Sequence, residues 1–489
     1  MFKLRLNNYR GFLNQEFDFS RINILIGENS AGKSSIFKFL LSLKQSLRSP
    51  NNSDYNLTLS GDETDLGNYF ETIYNHEIDR NLSFSFEFGK DYNAFFFNET
   101  FPKNRDEDEE KRSVEKKNEV ISYLTNVENV STTLAVEVCN DLNNHKNIVF
   151  SVSNDNLGIV KIKFLRNEDN NHDNTVEDIY IIGDKERCEI IFESNYYNKT
   201  FNITDVEYDK EGFLTIVSGS DLKENIEKNK NINSTEIERI FWSIGYLLIT
   251  QNYLQIQLRK IEYVNPLLHK IAERVYIEGD KKKTLRIKNL KDLIDFIDTS
   301  TTKKTFEEKF ITILQEFGIA QNFTIKKEGF TKEFRVKIDD IENNIKDVGF
   351  GVSLQLPIFA QAIISEGTRT VRNGNKILSG QTLLIEQPEV HLHPHLQAKF
   401  IETLLSIGEN NVYFIETHSE HIIRMLQVLI KNKKLNLKSE DVSIHYFKKH
   451  EKKMSKSFHY INPETGKLTP NFPKGFYDVS YDLAFQLMD

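Results

Sequence analysis

The chain has 489 residues, enough for two or three domains or for one domain carrying a large insertion. Apolar residues make up 39% and charged residues 28%, which supplies a packed core and excludes a wholly disordered chain. The net charge of −9 excludes a surface coated in basic residues for indiscriminate nucleic-acid binding, while leaving room for a local basic groove.

Only Cys139 and Cys188 are present, far apart and in no CxxC pair, which excludes a disulfide framework or a cysteine-built zinc site and fits a reducing compartment. The opening "MFKLRLNNYRGF" alternates apolar and polar residues as a strand does and is no signal peptide. The longest apolar run, "IFWSIGYLLI" at 240–249, is too short to span a bilayer and reads as a buried helix. These features lead us to expect a soluble, cytoplasmic protein without membrane contact.

In chain order, Phe2, Leu4 and Leu6 alternate with Lys3, Arg5 and Asn7, which predicts a half-buried strand. "RINILIG" at 21–27 is continuously apolar, as in a strand buried on both faces. "SSIFKFLLSLKQSL" follows as an amphipathic helix ended by the turn chemistry of "RSPNNSD". "LSFSFEF" at 82–88 alternates as another strand, whereas "KNRDEDEEKRSVEKKN" at 103–118 reads as a solvated loop.

Residues 146–217 hold the short strands "NIVFSVS", "IVKIKFL", "IYIIG", "CEIIFES" and "FLTIV", punctuated by Asn, Asp and Gly as in an antiparallel meander. The pattern turns helical at 234–275 and again at 287–317, with no heptad long enough for a coiled-coil arm. The last third alternates: "TLLIEQ", a helix at 395–406, "NVYFIETH", a helix at 419–431, then "VSIHYF". That rhythm predicts parallel strands with right-handed crossovers. "FHYINPETGKLTP" predicts a hairpin around its Pro-Glu-Thr-Gly turn.

Four segments carry chemistry. "GENSAGKSS", from Gly27 to Ser35, matches GxxxxGK[ST] between a buried strand and a helix, the context a phosphate-binding loop requires. Amides from Asn29 through Ala31 and Gly32 to Lys33 would wrap a β-phosphate, helped by the positive end of the helix. Lys33 would reach the β- and γ-phosphates, and the Ser34 hydroxyl would sit on Mg²⁺.

"LLIEQPE" ends a buried strand in Glu386, a costly placement unless the carboxylate meets a cation, here Mg²⁺ through water, or a salt bridge. "FIETHSEH" ends another in Glu416, Thr417 and His418; His418 could donate to a γ-phosphate or an attacking water while Ser419 caps the next helix. "DVGFGVSLQLP" places Gly349, Gly351 and Ser353 ahead of an apolar helix as a small anion nest or a plain turn.

Taken in order, these segments resemble the ABC-type ATPase heads of the SMC and RecF group, and within it the OLD-like predicted ATPases of bacteria. "LNNYRGF" and "NFPKGFYD" resemble one subfamily with a short C-terminal domain of unknown role. The likeness covers roughly the first hundred residues and those from about 340 onward. It implies an α/β fold, a split ATPase head with a mixed sheet and P-loop, interrupted by a β-rich and helical lobe. The expected division is 1–100 and 336–447 for the head, 101–335 for the lobe, and 448–489 for a hairpin and tail.

The resemblance implies ATP and Mg²⁺ as ligands, with "GENSAGKS" as Walker A, "LLIEQPE" as Walker B and His418 as the switch histidine. It implies that Gly351 and Ser353 touch the γ-phosphate held by a second subunit, so that two heads sandwich two ATP molecules in a dimer or higher oligomer. Related proteins often have Gln directly after the signature serine; here Leu354 intervenes before Gln355. No acidic cluster after His418 resembles the Toprim nuclease of many OLD proteins. Stand-alone members are similar to ATPase subunits of anti-phage systems that govern a separate effector.

Gln387 stands where many such enzymes keep the base that activates water, and an amide cannot take a proton at neutral pH. Three readings follow: hydrolysis is disabled; Glu389 supplies the base; or His418 and Glu416 position water for slow turnover. In the subfamily that the chain resembles, the string Glu-Gln-Pro-Glu is ordinary, so the resemblance implies a slow ATPase, with Glu389 as the expected base. The alternatives are a DNA-repair or DNA-structuring ATPase and a non-hydrolysing ATP-bound scaffold. "HLHPH", with His391, His393 and His395, reads as a helix cap and interface segment rather than a zinc site. The best segment for DNA contact is "HYFKKHEKKMSKSFHY" at 445–460, where aromatic residues flank lysines.

Overall fold

The computed structural model describes residues 2–47, 57–89, 132–138, 148–154, 158–165, 186–193, 198–206, 249–264, 273–277, 286–300, 303–372, 375–378, 380–450, 453–473 and 486. The chain forms two units: Met1–Phe19 with Ser35–Arg259 and Lys449–Ser455, and Ser20–Ser34 with Lys260–Lys448 and Lys456–Asp489.

In the first unit, period-2 sequences pair into one eight-stranded sheet ordered Gln15–Asp18, Phe2–Asn7, Leu82–Phe88, Thr132–Val138, Ile148–Asn154, Gly158–Leu165, Glu186–Glu193, Asn198–Val206. Every pairing is antiparallel. Leu82, Phe84, Phe86 and Phe88 are buried while the residues between them are half-exposed, so "LSFSFEF" presents one apolar face. Phe39, on the helix Lys33–Ser46, meets Phe84 edge-to-face at 5.1 Å. Of the expected meander, "NIVFSVS", "IVKIKFL" and "CEIIFES" are strands that continue the N-terminal ones, and Asn198–Val206, which the sequence reading did not name, follows them. "IYIIG", "FLTIV", the charged stretch 103–118 and residues 240–248 lie outside the described residues.

The second unit is built on a seven-stranded sheet ordered Ile261–Val264, Thr382–Glu386, Val412–Glu416, Ile22–Gly27, Val442–His450, Lys453–Ile461, Leu468–Thr469. The first five strands run parallel, and the last pair is antiparallel, with Tyr460 opposite Thr469 and Ile461 opposite Leu468. The sheet is therefore mixed, in an α/β arrangement. Ile22 to Gly27 are all buried, as a strand covered on both faces must be. The helices Pro394–Ser406 and Glu420–Lys431 supply the crossovers, and the C-terminal hairpin forms where the Pro-Glu-Thr-Gly turn predicts it.

One expectation fails. The stretch 234–275 is not helical throughout: after a helix that is described from 249, Ile261–Val264 pairs in parallel with Thr382–Glu386. Four residues, here Ile-Glu-Tyr-Val, are too few for a period that separates strand from helix, so the partner strand decides. Among the described residues no helix is long and apolar enough to cross a membrane.

Candidate active site

The site grows from the ends of the parallel strands of the second unit. Gly27 leaves its strand with φ +141°, and a Cβ there would lie 2.0 Å from the Phe447 carbonyl oxygen. Only glycine permits that approach, which is closed by the Glu28 amide donating to the same oxygen at 3.0 Å. The loop then turns through Ser30 (φ 58°) and Gly32 (φ 94°) into the helix that starts at Lys33. Glu28, Asn29 and Ser30 are exposed, while Ala31, Gly32 and Lys33 are buried.

The Lys33 ammonium donates to the carbonyls of Gly27 at 3.1 Å and Glu28 at 2.8 Å. Burial lowers its pKa, against the pull of Glu416, Glu389 and Glu28. Ser34 donates its hydroxyl to Glu416 Oε1 at 2.9 Å. Ser35 belongs to the first unit, where its carbonyl accepts the Tyr9 hydroxyl at 3.0 Å.

Three carboxylates complete the site. Glu386 and Glu416 end adjacent parallel strands and sit opposite each other in register. Glu386 accepts a short hydrogen bond from the Tyr263 hydroxyl on the neighbouring strand. Glu416 is 3% exposed, and its carboxyl pKa is pushed up to about 7. Burial is the main cause, with Glu386 and Glu389 adding to it and the Ser34 hydrogen bond and Lys33 opposing it.

Glu389 lies in the turn after the Glu386 strand. Its Oε1 accepts the His418 amide at 2.6 Å, and burial raises its pKa. The Oε2 atoms of both Glu389 and Glu416 are buried with no hydrogen-bond partner among the described residues. His418 is exposed as a residue, yet partial desolvation, and then the Lys33 charge, hold its imidazole below the usual range and favour the neutral ring. Hydroxyl and carboxylate oxygens of the kind Ser34, Glu386 and Glu416 offer are the ligand types that magnesium takes, and the buried, unpartnered Glu416 oxygen fits such an ion.

Gln387 takes φ 45°, in the left-handed region, and its amide donates to the Glu416 carbonyl at 2.8 Å. That bond locks the turn so that Glu389 comes next to His418 while Gln387 stays at the strand end. The segment expected to be the signature packs on the same turn. Its helix, Phe350–Glu366, begins before Gly351 and Ser353, so these lie in its first turn rather than ahead of it. A Cβ on Gly351 would lie 2.2 Å from the His391 carbonyl oxygen, and Gln355, fully buried, donates to the Pro388 carbonyl at 2.9 Å.

Ser353 is buried, with its amide donating to Gly349 at 3.4 Å. His393 caps the helix Pro394–Ser406, accepting the His395 amide at 3.4 Å; His391 and His395 are exposed. Among the described residues no group of three or more His, Cys, Asp and Glu could hold a metal ion unaided.

The structure thus brings together Lys33, Ser34, Glu386, Glu389 and His418 from the sequence-derived set. It adds two roles that sequence reasoning missed. Glu416 is the partner of Ser34, a contact its place at the end of "FIE" could have suggested. Tyr263 is the partner of Glu386, and was hidden by the helical reading of its segment.

Residues 1–423 match the family described as "AAA ATPase domain", and residues 437–487 the family described as "Protein of unknown function (DUF3696)". No curated protein matches the chain. Similar solved structures include an SmcHead bound to the C-winged helix domain of ScpA, at 11% identity and TM-score 0.38, over 93% of this chain and 97% of that one. The SMC head domain from Thermotoga maritima follows at 10% identity and TM-score 0.33, with the same coverage. An Smc head domain with an extended coiled coil, bound to the C-terminal domain of ScpA derived from Pyrococcus furiosus, aligns at 8% identity and TM-score 0.35 over 100% of both chains. At these scores the likenesses carry no argument about function.

Proposed function

The chain belongs to the AAA ATPase domain family, and from that premise we propose that it is a slow ATPase used as a dimerising switch, converting ATP and water to ADP and phosphate with magnesium. The observation that carries this reading is Glu389: buried, steadied by the His418 amide, and holding one oxygen without a partner. A carboxylate whose pKa is raised by burial is a better proton acceptor than an ordinary one. Gln387 is therefore no lesion, because the base stands two residues further on.

The chain's own groups divide the remaining work. Lys33 holds the β- and γ-phosphates, the loop amides orient them, and His418 donates from its neutral ring toward the γ-phosphate or the water. Ser34 would hold magnesium, with Glu386, which accepts the Tyr263 hydroxyl, acting through water. Magnesium, when bound, neutralises the charge between the β- and γ-phosphates. Gly351 and Ser353 complete the site of a second copy, so that ATP closes a dimer and hydrolysis reopens it. We read the chain as an OLD-like, cytoplasmic subunit that governs a separate effector in bacterial defence against phage.

The experiment is steady-state phosphate release with ATP and Mg²⁺, beside Lys33→Ala as background. Release above that background, lost again in Glu389→Gln, supports the reading. ATP bound in an oligomer with release at the Lys33→Ala level would leave a scaffold instead.

A second reading, contact with DNA, rests on the strand Lys453–Ile461, where Phe458 and Tyr460 are 37% and 42% exposed on the strand face that also carries Lys456. A DNA affinity that falls steeply with salt and is lost in Phe458→Ala would favour it.

A further inference from the structure

We propose that Glu416 is itself a ligand of the divalent cation, supplying an oxygen beside Ser34, an inference that rests on the magnesium–ATP reading above. Three observations carry it.

First, position: the strand Val412–Glu416 lies between the Glu386 strand and the Ile22–Gly27 strand, so Glu416 is the carboxylate that reaches the start of the phosphate-loop helix. Second, spacing: Ser34 Oγ and Glu416 Oε1 are 2.9 Å apart. Adjacent oxygens on an octahedral magnesium, each at ~2.1 Å from the ion, are about 3 Å apart. The pair can exchange its hydrogen bond for a shared cation without either side chain moving.

Third, charge and satisfaction: Glu416 is 3% exposed, its Oε2 has no hydrogen-bond partner among the described residues, and Glu386 stands opposite it in register. Side chains in register on neighbouring parallel strands share a face at a strand spacing of about 4.8 Å. Two ionised carboxylates so placed repel unless a proton or a cation lies between them. The Lys33 ammonium is directed to the Gly27 and Glu28 carbonyls. A cation on Ser34 and Glu416 would relieve the repulsion, leaving Glu386 in the outer, water-mediated place that its Tyr263 hydrogen bond suits.

The test uses the full chain, Mn²⁺ as the probe and a non-hydrolysable ATP analogue, with free Mn²⁺ read by electron paramagnetic resonance. Nucleotide affinity is measured separately in EDTA. Glu416→Gln keeps an acceptor for the Ser34 hydroxyl but removes the charge. It is expected to weaken Mn²⁺ binding at least tenfold while nucleotide affinity in EDTA stays within about twofold. Equal Mn²⁺ affinity in wild type and Glu416→Gln would overturn the assignment and leave Glu416 as the hydrogen-bond partner of Ser34.

If Glu416→Gln shows no cooperative melting, Glu416→Asp replaces it. Withdrawing the oxygen by one methylene should loosen Mn²⁺ similarly, and unchanged affinity again overturns the assignment. Wild type that binds neither nucleotide nor Mn²⁺ would sink the ATP reading and this inference together, an outcome distinct from equal binding by the two chains.

Discussion

The Ser34 hydroxyl donates to Glu416 and not to Glu386, although Glu386 ends the strand that the sequence assigns to magnesium. The reason is the strand order: Val412–Glu416 is inserted between the Glu386 strand and the strand that feeds the phosphate loop. Glu386 instead pairs with Tyr263 on its other side.

The locked turn at Gln387 separates the roles of the amide and the carboxylate. Gln387→Glu should leave phosphate release within about twofold of wild type, because the turn directs Glu389, not position 387, to the His418 amide. Glu389→Gln should retain ATP and lose release by about 100-fold, in line with removal of a general base. Single-turnover phosphate release beside ATP binding checks both; a Gln387→Glu variant that is many times faster would identify position 387 as the missing base.

Gly351 and Gly27 are each fixed by a neighbouring carbonyl. An added methyl would lie 2.2 Å from His391 oxygen in the first case and 2.0 Å from Phe447 oxygen in the second. Backbone atoms cannot rotate away as a side-chain tip can. Gly351→Ala and Gly27→Ala should therefore each lose about 2 kcal/mol or more on urea denaturation. Stability within about 0.5 kcal/mol of wild type, the range of an ordinary surface substitution, would contradict the packing.

The helix Glu420–Lys431 starts at Ser419, whose hydroxyl accepts the His421 amide at 3.2 Å and the Ile422 amide at 3.4 Å and donates to Gln397 at 2.7 Å. Ser419→Ala should cost about 1 kcal/mol, the usual worth of such a cap. Ser419→Asp, which keeps an acceptor for the amides, should recover part of it. Paired chemical denaturation curves decide.

His459 gives a pH dependence away from the candidate active site. It is 1% exposed; its Nδ1 lies 2.8 Å from the Pro470 carbonyl, which can only accept, so Nδ1 carries the proton. Nε2 then accepts the Ser457 hydroxyl at 2.7 Å. Burial, opposed by the Pro470 hydrogen bond, lowers the imidazole pKa below its ordinary 6.5. The folded chain therefore binds fewer protons at this group than the unfolded chain below about pH 6.5, and stability falls as pH drops through that window. His459→Gln should flatten that part of the stability–pH curve; an unchanged slope between pH 5 and 6.5 would exclude the group as its source.

What the sequence determined by itself is local. The glycines and lysine of "GENSAGKSS" between an apolar strand and a helix, the strand–helix alternation of 382–447, the Ser419 cap and the C-terminal hairpin are set by periodicity and turn chemistry within a few residues, and the structure has each of them. What only the tertiary structure decided is adjacency. Ile261–Val264 is a strand because Thr382–Glu386 pairs with it, and no four-residue segment declares that alone. Glu416 meets Ser34, Glu389 meets the His418 amide, and Gln355 meets Pro388 because strand order and one left-handed turn place them so. Hydrophobic period says which face of a strand is buried; it does not say which strand lies beside it, and that choice decides which carboxylate faces the phosphate loop.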